Sequence, residues 1–198
     1  MQSKALILTG AAMAAALALG ACNKPADSTL APVDQASDAA AMAPPAAPPA
    51  QAATPTDAAG FVTAAAASDL YEIAAAKVAV TKSKSAEVKT FAERMIHDHS
   101  ATTAAVKGII AGQKLAVAPP AALDGRHKEM IDKLDAADPG AFDKTYIDQQ
   151  VAAHDEALGV FKGFAAGGDN EALKAFAAST APKIQEHDDM AKKIQAGL

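Results

Sequence analysis

Thiols are all but missing from this chain: its only cysteine is Cys22, so the folded part downstream can hold neither an internal disulfide nor a thiolate metal site. Tryptophan is absent, and the six phenylalanines (Phe61, Phe91, Phe142, Phe161, Phe164 and Phe176) carry most of the aromatic bulk. There is no concentrated basic stretch; a net charge of -5, spread along the chain, excludes a nucleic-acid partner. Nucleophile elbow, phosphate loop and dinucleotide fingerprint are all lacking. Gly167-Gly168 reads as a turn, and Lys82-Ser83-Lys84 and Lys192-Lys193 read as solvated helix ends. What is abundant is alanine, the best helix former and a poor residue for packing a sheet.

The first 21 residues read as an address. Lys4 supplies a positive start and Ala5 to Leu19 an apolar run, too short to stay in a bilayer as a spanning helix. It ends in Leu19-Gly20-Ala21-Cys22, which resembles the lipobox of bacterial lipoproteins. That resemblance implies a signal peptide over 1–21, cleavage before Cys22, and acyl chains on Cys22 that hold the protein to a membrane. Asn23, where an aspartate would imply inner-membrane retention, points to the periplasmic face of the outer membrane. An ordinary secretory signal is the alternative reading. Residues 22–56 then form a linker rich in Ala and Pro, with Pro44-Pro45 and Pro48-Pro49 inside it. Prolines remove amide donors and favour extended backbone, so this segment is a tether without a core.

Residues 57–198 carry helical periodicity. The first helix is expected from Asp57 to Val80, capped by Thr56 or Asp57, with Phe61, Ala65, Asp69, Glu72, Ile73 and Val80 on its inner stripe. A short turn over 81–84 sends the second helix back from Ser85 to a stop near Gly112, with Val88, Phe91, Met95, His99 and Val106 inward. A long link through Pro119-Pro120 contains a short helix over 126–134, and His127 near its start is expected in solvent. Asp138-Pro139 reads as cap and first residue of the third helix, which reaches Ala166 with Phe142, Tyr146, Val151, His154, Leu158 and Phe161 inside. Asp169 is expected to cap the fourth, which runs to Gln195 through Leu173, Phe176, Thr180, Ile184, His187, Ala191 and Ile194. Two hairpins joined by a long link predict an all-α chain: a ferritin-like four-helix bundle with a crossover between the second and third long helices.

The runs Phe61-Val62, Leu70-Tyr71-Glu72-Ile73, Phe91 to Ser100, Phe142 to Tyr146, His154-Asp155-Glu156 and Thr180 to His187 together resemble one bacterial family. It is a domain-of-unknown-function family whose members are labelled outer membrane proteins and grouped with ferritin-like bundles. The resemblance covers about Gly60 to Leu198. It implies an envelope location and a ferritin-like fold, and it carries no established activity.

His99, His154 and His187 fall on the apolar stripes of three different helices. Neutral imidazole is the commonest biological metal ligand, and three converging rings would suit one divalent metal: Zn, Cu or Fe. Glu72 is the expected oxygen ligand, ahead of Asp69. Asp98, Asp155 and Glu186, each beside a histidine, are candidates for orienting the rings. Met95 and Met190 share faces with His99 and His187; a thioether suits copper, and equally fills a core. A di-iron centre would need Glu-x-x-His on two helices, whereas Glu93 stands four before His97 and Glu186 directly precedes His187. His97, two residues from His99, points away from the seam. Pro182 should kink the fourth helix a turn before His187. The expectation is an envelope protein, lipid-anchored at Cys22, that binds a metal or small ligand through Glu72, His99, His154 and His187. The alternative is a non-catalytic structural or stress-related envelope module whose histidines form a buried hydrogen-bond network. A homo-oligomer is compatible with either, and no protein partner is indicated.

Overall fold

The computed structural model describes residues 54–198; the expected signal peptide, Cys22 and the linker up to residue 53 lie outside the described residues. The described residues are all-helical: α1 (Ala58–Lys82), α2 (Ala86–Gln113), α3 (Gly125–Ala136), α4 (Phe142–Gly167) and α5 (Glu171–Gln195). Among them no helix is long and apolar enough to cross a membrane.

Local chemistry sets most of the boundaries. Asp57 caps α1 through its carboxylate on the Gly60 amide, and Ser85 caps α2 through its hydroxyl on Val88. Two starts differ from expectation. Asp138-Pro139 makes a turn, with the Ala141 amide donating to the Asp138 carbonyl, and α4 begins only at Phe142. Asn170 rather than Asp169 caps α5; the Asp169 amide is spent on the Thr56 carbonyl. At the end of α2 the chain passes Gly112 and stops at Lys114, which adopts the left-handed conformation at φ 50°. Pro182 sits on an exposed face of α5, and the helix continues past it.

The helix directions follow from side-chain neighbours. Phe61 lies against Phe161 and Phe164, Tyr71 bonds Gln149, and Lys82 covers the Phe142 ring, so α1 and α4 are antiparallel. Lys192 reaches Asp155 and Gln195 reaches Asp148, so α4 and α5 are antiparallel too. Phe91 lies near Tyr146 and His99 near His154, so α2 and α4 run the same way. The link carrying α3 must therefore return along the bundle. It does so over the α1–α4 seam, tied by Lys82 to the Leu134 carbonyl and by Gln149 to the Met130 carbonyl.

His127 is buried there, contrary to expectation. Its ring stacks on Tyr71 at 5.0 Å and its Nδ1 meets Asp124. The inner stripes also shift slightly. Tyr71, Ala75 and Ala79 occupy the α1 interior in place of Ile73 and Val80, while Val151, Phe176 and Thr180 are half-buried.

The apolar core comes in two parts. One contains Phe91, Met95, Tyr146, Ile147 and Ala191; the other contains Phe61, Val106, Phe161, Phe164 and Ile184. Between them on all four long helices lies a polar layer: Asp69 and Glu72, His99, His154, and His187, all buried.

Candidate metal centre

Burying an imidazole is costly unless its ring nitrogens find partners. Each histidine of the polar layer satisfies one nitrogen and leaves the other bare. His99 Nδ1 lies 2.8 Å from Asp69 Oδ1, and the other Asp69 oxygen accepts from the Thr103 hydroxyl at 2.8 Å. His154 Nδ1 donates to the Gln150 carbonyl at 2.8 Å; a carbonyl only accepts, so this nitrogen carries the proton. His187 Nε2 lies 2.8 Å from Asp98 Oδ2, supplied by the neighbouring α2. His99 Nε2, His154 Nε2 and His187 Nδ1 are buried without a partner. One ligand atom from each of the three rings falls within 4.8 Å of the others. The ring centroids are 5.5–5.7 Å apart.

The electrostatics keep two of these nitrogens free to bind. Burial, helped by the neighbouring His99, drives His154 down to about 3. Burial likewise takes His187 down to about 4, outweighing its bond to Asp98. Both rings are neutral at neutral pH. Burial also opposes charge on His99, but the Asp69 bond and the Glu72 and Asp98 carboxylates outweigh it and raise its pKa. A cation held among the three rings would face two carboxylates directly behind its ligands, an arrangement that raises ligand basicity and fixes the rings.

The other expected site residues separate clearly. Glu72 is fully buried, and burial lifts its pKa to about 7. Its Oε1 stands 3.8 Å from His154 Nδ1, the nitrogen turned away from the open valence, and it is not in the converging group. Asp98 orients His187, across the helix interface, rather than its neighbour His99. Burial pushes the Asp98 carboxyl up, yet bonds from His97 and His187 and the Lys183 charge hold it well below the usual carboxylate range. Asp155 does not orient a ring: it is exposed and paired with Lys192. Glu186 is exposed and bonds Arg94, which in turn approaches Asp98. Met95 packs in the apolar core, and the Met190 sulfur is taken by Arg94 at 3.4 Å. His97 faces solvent and contacts Asp98. Sequence reasoning ranked Asp69 below Glu72; the three-residue spacing buries both, and only packing shows which one meets His99.

Comparison with known proteins adds one match. A family model described as Domain of unknown function (DUF4142) matches residues 42–194. No curated protein and no solved structure matches the chain.

Proposed function

The chain belongs to that family, DUF4142, and from this premise we propose that it is a lipid-anchored protein of the bacterial envelope that binds one divalent transition metal through His99, His154 and His187. The observation that carries the metal is the set of three buried, unpartnered ring nitrogens, each opposite a nitrogen already committed to a protein oxygen. Neutral imidazole donors suit Zn, Cu or Fe. The ferritin-like form of the four-helix bundle belongs to this reading as well; the parallel course of α2 and α4 and the long link through α3 support it. The Leu19-Gly20-Ala21-Cys22 run supports the anchor and, with Asn23, the periplasmic face of the outer membrane. The division into a signal over 1–21, a tether over 22–56 and a bundle over 57–198 completes it.

The full chain, expressed without a tag in a bacterium and recovered from the membrane fraction, should contain close to one metal per protein by elemental analysis. The His99→Ala/His154→Ala variant should contain none, and Cys22→Ser should leave the membrane fraction. A wild type that is metal-free and takes up none when offered Zn, Cu or Fe would overturn the metal reading. His99 as an imidazolium bonded to a neighbouring ring would then account for the layer, a reading its raised pKa favours. A Cys22→Ser protein that stays in the membrane would overturn the anchor.

A further inference from the structure

Three protein nitrogens do not complete a transition-metal site. Sites with three protein ligands characteristically keep a fourth position for water or substrate. No carboxylate stands among the converging nitrogens to take that position. Both Asp69 oxygens are engaged, by His99 and Thr103. Both Asp98 oxygens are engaged, by His97 and His187. Glu72 approaches His154 from its protonated Nδ1 side.

A small cavity lies against two of the three rings. It is bounded by His99 and His187 themselves, by Asp69, and by Thr102, Thr180 and Lys183, the last three roughly one to two turns along their helices from the rings. Its volume, about 10 Å³, is that of a single water. The Thr102 hydroxyl is already turned to the Asp98 carbonyl. Lys183, half exposed, stands with its ammonium 3.6 Å from Asp98 Oδ2 and brings a positive charge to the outer side of this space. The rest of its lining is mostly apolar (Ala157, Phe161 and Ile184), and a cation at the mouth of a narrow, low-dielectric opening draws small anions toward the metal.

We infer that the metal held by His99, His154 and His187 keeps one coordination position for water or a small monoanion, reached through the cavity beside Thr102, Thr180 and Lys183. The inference rests on the metal reading above and goes further, because it makes the centre a site for exogenous ligands rather than a closed structural bolt. The ligand class is set by size and charge: hydroxide, or another monoanion of no more than three heavy atoms, such as azide.

The test uses the full chain loaded with Co²⁺, whose visible spectrum reports coordination, and titrated with azide. Bound cobalt is measured in the same samples. The wild type should give a saturable spectral change per bound cobalt. Thr180→Leu, which plugs the cavity, should abolish that change per bound cobalt, and Lys183→Met should raise the azide midpoint about 3- to 10-fold. Cobalt bound in stoichiometric amount with a spectrum indifferent to azide would overturn this inference and leave the metal site standing. Wild-type azide midpoints in both variants would overturn the route through the cavity. A chain that takes up no cobalt would overturn the metal reading, and this one with it.

Discussion

Asp69 does two things at once. It holds the His99 ring by its proton and is itself held by Thr103, so the ring cannot rotate without breaking a second bond. Its charge also lies one ring away from the open valence, where it would compensate a divalent cation. Asp69→Asn keeps the shape and an oxygen for the His99 proton, removes the charge, and obliges the Thr103 hydroxyl to accept where it donated. Metal affinity should fall about 10- to 100-fold, as it does when carboxylates behind histidine ligands are lost. Competition against a chelator of known affinity measures this, and a change below about twofold would make Asp69 a spacer. At this scale the sequence was legible where a histidine interrupts an apolar stripe, since His99, His154 and His187 stand among residues that have no other reason to tolerate them. For the carboxylates it was legible only in part: Asp98 does orient a ring, though that of His187 and not of its neighbour His99. Neighbours in sequence suggested Asp155 and Glu186 as partners, but adjacent helical residues point about 100° apart, and both ended in surface ion pairs. The true partner of His187 comes from α2, a pairing that only tertiary packing makes.

Helix ends test the same reasoning on larger pieces. Lys114 terminates α2 at φ 50°, where its amide serves the Ala111 and Ile110 carbonyls. A side chain in that region is strained and glycine is not. Lys114→Gly should therefore stabilise the protein by about 0.5–1 kcal/mol in urea unfolding. The sequence suggested the stop at Gly112 because glycine is the usual signal; here the helix spends Gly112 in its last turn, and the strained position goes to lysine. Asp124 at the start of α3 offers a pH test. Burial pushes its carboxyl up, but the His127 amide and imidazole outweigh this and set its pKa below the ordinary value. The cap's electrostatic contribution is thus complete above the unfolded value of about 3.9 and is lost as pH falls through the lower folded value. Asp124→Asn keeps a competent cap without the titration. The thermal midpoint of wild type should exceed that of the variant above about pH 4, and the gap should close on going to lower pH. A gap that is constant from pH 6 to pH 2 would mean the carboxylate charge adds nothing. His127 is buried where the sequence predicts exposure because the link has weak apolar periodicity and the stacking surface it finds, Tyr71, belongs to α1.

On the scale of the whole molecule, the polar layer is a weak joint between two apolar cores. The two apolar cores do not join through it, so the layer contributes only if its groups are paired. Without a cation, three ring nitrogens and one oxygen of Glu72 are buried unpaired in it, and each such atom costs about 1–3 kcal/mol. A metal joining α2, α4 and α5 would satisfy three of them in one step and tie α2 to the α4–α5 hairpin, which the chain reaches from α2 only through the link that carries α3. Because it binds only the folded arrangement, a metal at 100 times its dissociation constant should add about 2.7 kcal/mol. For a domain of this size that is roughly 10 °C in thermal midpoint. The rise should reverse on chelation and vanish in His99→Ala/His154→Ala. Were the layer instead a self-sufficient hydrogen-bond network, metal would leave the midpoint unmoved, and the double variant would unfold at a lower temperature with no loss of metal response. The two readings thus differ in one number, the metal-dependent shift of the wild type, because only the first requires the layer to be incomplete on its own.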